Sequence, residues 1–372
     1  MQEQDKEKAK QGTELDWGLL APVLVLMGLG LIMVLSASGI MAERMYGSKY
    51  YFFQKQLIFS LLGLVLMFSA LRIRLSFLYK TVYLWLAAAG VLLALTQTQL
   101  GASSGGASRW LNMGLFSLQP LELAKVGLVL YLAYFFSHKQ EMIKTFSVGF
   151  LPPLLVTGFL AGVLLLQPDF GGAAFILALF FLLSMAGGTR LIYLFSSALL
   201  SASAAAIMIL QSPYRLNRWL AFLHPFQSPD DVGYQVVQSL YALGSGGLLG
   251  QGLGAGRQKL FFLPEAHTDF ILAVVGEELG FIGLSLVFVC LGLILYRCFK
   301  IALEQEDLQD RFTALGLGLI LLLGALLNAA VVLGAVPPKG LPLPFVSYGG
   351  SNLLAMCFSV GLILNIARRR VA

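Results

Sequence analysis

Charge is what this 372-residue chain has least of. Lys, Arg, Asp and Glu make up 12% of it, about half the roughly 25% carried by a soluble domain. So few charged groups cannot clothe a soluble globule of this size. Cysteine and histidine are equally scarce, at three residues each. Cys290, Cys298 and Cys357 lie in or beside apolar stretches and form no metal-like cluster, which fits three inert membrane thiols. The three histidines are scattered, so a histidine-based metal site is not expected. The glycine run from Gly244 to Gly254 has no strand before it and no Lys-Ser/Thr after it, which excludes a phosphate-binding P-loop. The net charge of +6 sits in connections between apolar runs and does not indicate nucleic acid as a partner.

What the chain does have is hydrocarbon: 58% apolar residues and a mean hydropathy of +0.81. A bilayer core takes about 20 apolar residues per helix. Ten such segments can be marked, at 17–40, 51–71, 81–98, 117–137, 149–166, 170–187, 189–210, 269–297, 311–333 and 345–367. The split at Gln167-Pro168-Asp169 is read as two spans, because 149–187 is too long for one crossing. The expected fold is therefore all-α and polytopic. A polar tail (1–16) precedes one membrane domain (17–367), and a basic tail (368–372) follows it. No short apolar core with a small-residue cleavage site precedes the first span, so a cleaved signal peptide is not expected.

With the N-terminus inside, the inner connections hold fifteen Lys and Arg and the outer ones nine. Basic residues favour the cytoplasmic side, so both termini are expected there and the 211–268 loop outside. That loop carries Arg215, Arg218, Trp219, His224 and Tyr234. Val232, Val236, Val237, Leu240 and Tyr241 recur at helical spacing and predict an amphipathic or re-entrant helix over 232–243.

Asp269 closes this loop and opens the next apolar run. An ionisable group at membrane depth is a functional candidate; the alternative is that Thr268 or Asp269 caps the helix N-terminus. Glu122 and Lys125, three apart after Gln119-Pro120, share one helix face. They form either a structural ion pair or a shared anchor in which Lys125, with Arg109, holds an anionic headgroup. Glu277 and Glu278 fall on other helix faces than Asp269 and are expected to bind neighbouring elements. Four prolines in Pro337 to Pro344 make a stiff outer connection. Ser347, Tyr348, Gly349 and Gly350 interrupt the start of the last helix, either for close packing or to line an outer cavity facing Asp269.

Taken together, several stretches resemble the SEDS family (shape, elongation, division and sporulation proteins). They are Gly106 to Trp110, Gln119-Pro120-x-Glu122-x-x-Lys125, Gln167-Pro168-Asp169-x-Gly171, Gly233-Tyr234-Gln235, Gly250 to Gly254, Leu263 to Phe270, Glu277 to Gly280 and Lys339 to Ser351. The likeness leans towards the FtsW cell-division branch. Leu121, Pro338 and Asn352 depart from the usual pattern without removing a reacting group.

The resemblance implies ten membrane helices and polymerisation of lipid II by peptidoglycan glycosyl transfer. It also implies a class B penicillin-binding protein as transpeptidase partner, with other membrane proteins of the division machinery. The expected location is a bacterial cytoplasmic membrane, enriched at the septum. Asp269 matches the family's catalytic aspartate, expected to act as general base. Arg109, Trp110, Glu122, Lys125, His267, Lys339 and Ser347 are the expected substrate-binding residues, with Arg109, Lys125 and Lys339 on the diphosphate. No cofactor is certain; a divalent cation is left open. Two rival readings are a transporter that flips lipid II and a scaffold that positions the transpeptidase. The absence of a convincing internal repeat weighs against the transporter.

Overall fold

The computed structural model describes residues 15–104, 107–114, 117–212, 216, 219–220, 222–223, 225–227, 233–260 and 262–369. Expectations placed on the tail 1–14, on Gly106, Arg215, Arg218, His224 and Val232, and on 370–372 fall outside these residues.

Every expected span is helical. Among the described residues, eight helices are long and apolar enough to cross a membrane, and Val82–Leu95 and Phe170–Ala186 are shorter apolar ones. In chain order the helices are α1 (Trp17–Tyr46), α2 (Tyr51–Ala70), α3 (Leu75–Lys80), α4 (Val82–Leu95), α5 (Pro120–His138), α6 (Leu151–Leu166), α7 (Phe170–Ala186), α8 (Leu191–Leu210), α9 (Tyr234–Gly246), α10 (Ile271–Leu303), α11 (Leu308–Val332) and α12 (Gly350–Arg369). α5 and α12 are the most enclosed by other helices, and α8 is the least.

Short polar residues set the helix starts by accepting orphan amides. Asp16 accepts from Leu19 N at 3.1 Å, Asp169 from Gly172 N at 3.2 Å, and Asp307 from Gln309 N at 2.8 Å. The cap at Asp169 explains why 149–187 divides into α6 and α7. Small residues bring neighbouring backbones together. Gly30 of α1 lies against the carbonyls of Phe345 and Val346, and Gly361 of α12 lies against that of Met67.

Two features depart from the sequence reading. Between α4 and α5 the chain forms a three-stranded antiparallel sheet, β1 (Gly101–Ser104), β2 (Ala107–Asn112) and β3 (Ser117–Leu118), in the order β1-β2-β3. Trp110 pairs with Ala102, and Leu111 with both Gly101 and Leu118. The segment expected as 269–297 runs instead from Ile271 to Leu303 and breaks at Gly280, which takes φ 65° and ψ −159°. Only glycine adopts that backbone freely. A Cβ at Gly280 would also collide with the Gly250 amide and the Leu248 carbonyl. Residues 281–303 rise about 34 Å at ~1.5 Å per residue, enough to cross a ~30 Å core unaided. The turns from Ile271 to Leu279 are thus a separate short helix preceding the span.

The glycine-rich loop repairs this break. Phe281 N donates to Gly247 O at 3.0 Å and Ile282 N to Leu248 O at 3.2 Å. Gln251 N donates to Glu277 O at 2.9 Å and Gly252 N to Glu278 O at 3.0 Å. Backbone groups freed near hydrocarbon must find partners within the protein, and here the loop supplies them. The expected helix in this loop is α9, anchored by Ser239 Oγ donating to Val332 O at 2.8 Å.

Candidate active site

Four segments meet around Gly340: strand β2, the N-terminus of α7, the turn before α10 and the proline-rich connection before α12. A Cβ placed on Gly340 would lie 3.3 Å from Asp269 Oδ2 and 3.6 Å from Arg109 Nη1. The carboxylate and the guanidinium therefore face the same glycine, and a larger residue would fill the space between them. On the other side, a Cβ on Gly171 would lie 3.2 Å from Lys339 Cδ and 3.6 Å from Asp169 Oδ1. Arg109 Nε stands 3.3 Å from Asp169 Oδ1, but the angle is too poor for a hydrogen bond and Nε has no other partner among the described residues. Asp269, Arg109, Lys339 and Asp169 thus form one cluster with two cations and two carboxylates.

Asp269 is half-buried and its carboxylate accepts no hydrogen bond from the described residues. The start of α10 has Phe270 at the cap position and no side-chain capping bond. Thr268 Oγ1 turns back to Glu265 Oε2 at 2.7 Å. The capping alternative therefore does not account for Asp269. Burial, and then the charge of Glu265, push its carboxyl up to about 7, while Arg109 pulls the other way. Burial lowers the Lys339 ammonium against the opposing pull of Asp169. Burial also lowers His267, opposed by Glu265.

The turn that carries Asp269 is held mostly through backbone. Asn328 Nδ2, near the C-terminal end of α11, donates to Asp269 O and to Leu341 O, each at 2.8 Å. One amide thereby fixes Asp269 beside Gly340. Ser347 Oγ donates to Thr268 O at 2.6 Å and accepts from Leu343 N at 2.8 Å. Tyr348 N donates to His267 O at 2.9 Å. The His267 ring packs between Phe52 and Tyr348, at centroid distances of 4.6 and 5.6 Å. The structure thus places Ser347 and His267 as fasteners of the turn. Trp110 is half-buried next to Arg109 on β2.

Glu122 and Lys125 do pair, at 2.7 Å, and each side chain is only 2% exposed. Asn352 Nδ2 donates to the other Glu122 oxygen at 3.1 Å, and Lys125 Nζ lies 4.3 Å from the Phe175 ring centroid. The pair joins α5 to α12, and the Lys125 charge is already engaged. Glu277 and Glu278 are taken up by the glycine-rich loop. Glu277 accepts from Arg257 N at 2.7 Å, and Glu278 from Gly254 N at 3.0 Å, from Lys259 Nζ at 2.6 Å and from Ser36 Oγ of α1 at 2.6 Å. They are anchors for the loop, consistent with their expected binding to neighbouring elements.

Sequence reasoning left Asn328 and Asp169 out of the site. Asn328 could have been found as an uncharged polar residue alone in a long apolar span. Asp169 was visible as the carboxylate of the Gln-Pro-Asp break. Among the described residues no group of three or more His, Cys, Asp or Glu is placed to hold a metal ion.

Fold and site together define a polytopic membrane protein with two carboxylates and two cations gathered at one end of its helix bundle. The chain matches the model of the FtsW, RodA and SpoVE family, described as cell cycle proteins, over residues 17–371, and belongs to that family. It is 44% identical over 355 residues to the probable peptidoglycan glycosyltransferase FtsW of Trichlorobacter lovleyi, covering 95% of this chain and 93% of that protein. It is 36% identical to the stage V sporulation protein E of Bacillus subtilis, covering 96% and 98%. Among solved structures it superposes with a TM-score of 0.80 and 31% identity on a chain of a peptidoglycan synthase complex that coordinates polymerization and crosslinking, covering 96% and 99%. It superposes at 0.70 and 30% on the rod shape determining protein RodA of Thermus thermophilus, covering 96% and 98%.

Proposed function

We propose that this protein is a peptidoglycan glycosyltransferase that polymerises lipid II at the outer face of a bacterial cytoplasmic membrane, in the cell-division branch of its family. The observation that carries the reading is the Asp269 carboxylate, half-buried and without a hydrogen bond from the described residues, sharing the Gly340 space with Arg109. In the reaction the 4-hydroxyl of an incoming GlcNAc attacks the anomeric carbon of a MurNAc linked to undecaprenyl pyrophosphate. The new C–O bond forms as the anomeric carbon–phosphate oxygen bond breaks. Asp269 takes the hydroxyl proton, and the bonding electrons leave with the diphosphate. Arg109 and Lys339 meet that departing charge, where fixed cations are most effective. Trp110 lies beside Arg109 to pack against the substrate. Ser347, His267 and Asn328 hold the Asp269 turn, and Glu122–Lys125 holds the α5–α12 wall of the site. A class B penicillin-binding protein is the transpeptidase partner, and the site of action is the division septum.

A base must be ionised to act. With the Asp269 carboxyl pushed up to about 7, polymerisation of labelled lipid II by purified protein should rise with pH through neutrality and level off above it. Below pH 7 it should fall about tenfold per unit, following the fraction of ionised base. Because burial lowers Lys339, the alkaline decline should begin below the ordinary lysine value. A rate that is flat from pH 5 to 8, with chemistry limiting, rules out Asp269 as the base.

The orientation is tested with a single cysteine. Met113, exposed beyond β2 at the Asp269 end, is replaced by Cys in a chain lacking Cys290, Cys298 and Cys357. An impermeant thiol reagent should label it in intact cells. Labelling only after the membrane is opened would put the site on the cytoplasmic side.

A further inference from the structure

The cluster around Gly340 holds two cations and two carboxylates, and the reaction proposed above uses only three of the four. Asp169 is the group left over. It is 5% exposed and sits at the N-cap of α7, where its Oδ1 accepts from Gly172 N at 3.2 Å. A helix cap needs an oxygen rather than a charge, and asparagine or serine serves as well as aspartate. Burying a charge is costly unless it has a partner. Capping therefore does not account for a carboxylate at this position.

Its surroundings do. Arg109 Nε stands 3.3 Å from Asp169 Oδ1. Arg109 Nη1 lies toward Gly340, 3.6 Å from where a Cβ on that residue would stand. Asp169 is thus on one side of the guanidinium and the open Gly340 space on the other. The Lys339 stem runs alongside, since a Cβ on Gly171 would meet Lys339 Cδ at 3.2 Å and Asp169 Oδ1 at 3.6 Å. Two cations turned toward one space repel each other, and burial disfavours the charge on a lysine. The charged groups gathered around Lys339 are Arg109 from β2, which opposes its charge, and Asp169 from α7 and Asp269 from the turn before α10, which favour it. Asp269 cannot be the steady counter-charge, because it takes up a proton in each turnover. That leaves Asp169, whose charge works against the burial that lowers the Lys339 ammonium.

We propose that Asp169 is a positioning residue that keeps Lys339 protonated and holds Arg109 with its Nη1 end toward the Gly340 space. The inference rests on the glycosyltransferase reading and adds to it. Without this carboxylate the departing diphosphate would meet one fixed cation instead of two.

The test replaces Asp169 by Asn, which keeps the cap and the size of the side chain and removes the charge. Purified full-length protein in detergent is pulsed with acetic anhydride over a range of pH. Acetylation of Lys339 is read by mass spectrometry against the exposed Lys144 at the other end of the bundle. Only the neutral amine reacts. At neutral pH Lys339 should be acetylated about tenfold faster in Asp169→Asn than in the wild type, the change expected when an opposite charge this close is removed. Polymerisation of labelled lipid II by the same variant should begin its alkaline decline at a lower pH. Loss of a mere cap would move neither readout. Unchanged Lys339 reactivity in a folded Asp169→Asn protein would overturn the proposal. Asp169→Ser also caps a helix and gives the same measurement if the amide variant is unstable. Failure of both variants to fold would make Asp169 a structural group and overturn the proposal as well. The acetylation needs no substrate, so it decides the role of Asp169 even if the wild type makes no polymer and the glycosyltransferase reading fails.

Discussion

Asp269→Asn should abolish glycan polymerisation while leaving the protein folded. The amide keeps the size and position of the carboxylate but cannot take the hydroxyl proton. General base catalysis contributes about 10²–10⁴-fold, so the polymer yield from labelled lipid II should fall at least into that range. The fold should not suffer, because the carboxylate accepts no hydrogen bond from the described residues that the amide would lose. Its ionisation is in fact disfavoured in the folded state. With the carboxyl raised to about 7 from its ordinary 3.8, the unfolded chain loses this proton first. This group's contribution to stability therefore falls as pH rises from about 4 to 7 and stays low above that. Asp269→Asn removes that cost, so at pH 8 the melting temperature should equal or exceed that of the wild type. Near-normal synthesis by a folded Asp269→Asn protein would remove Asp269 from the chemistry. Failure of the variant to fold would give the residue a structural role instead.

The Glu122–Lys125 pair should separate fold from function through a double substitution. Both side chains are 2% exposed, so breaking the pair from one side strands a charge. Glu122→Gln or Lys125→Met alone should cost about 3–5 kcal/mol of stability, read as a lower melting temperature and poor yield. The double variant removes both charges, and such replacements are often close to neutral. Glu122→Gln keeps a side-chain carbonyl oxygen, so Asn352 still has an acceptor. If the pair only joins α5 to α12, the stable double variant makes normal polymer. If Lys125 also reaches the diphosphate once substrate opens the pair, the double variant stays folded but binds lipid II weakly and makes little polymer. A double variant as unstable as the single ones would show that the site depends on the pair for packing beyond its charges.

Sequence was sufficient wherever the bilayer is the constraint. A crossing helix must satisfy its own backbone and show hydrocarbon to lipid, so the ten segments and the break at Gln167-Pro168-Asp169 could be read directly. Asp269, Arg109 and Lys339 could be picked out for the same reason, since charge at the edge of an apolar run is rare enough to stand out. The pairing of Glu122 with Lys125 followed from their spacing on one helix face.

The tertiary structure decided what depends on contacts between distant segments. Gly280 looks like any glycine in an apolar run. Its break is set by the 247–252 backbone, more than twenty residues earlier in the chain, which supplies the missing hydrogen bonds. Arg109, Asp169, Asp269 and Gly340 come from four separate stretches, and no local pattern records that they meet. Ser347 and His267 stood out as polar residues near Asp269, yet their bonds hold the turn rather than face the open side. Asn328 is one uncharged residue in a long helix, and its importance appears only when Asp269 O and Leu341 O are both within its reach. Hydrophobic patterning is local and survives in the sequence. The convergence of polar groups depends on packing, and only the folded chain has it.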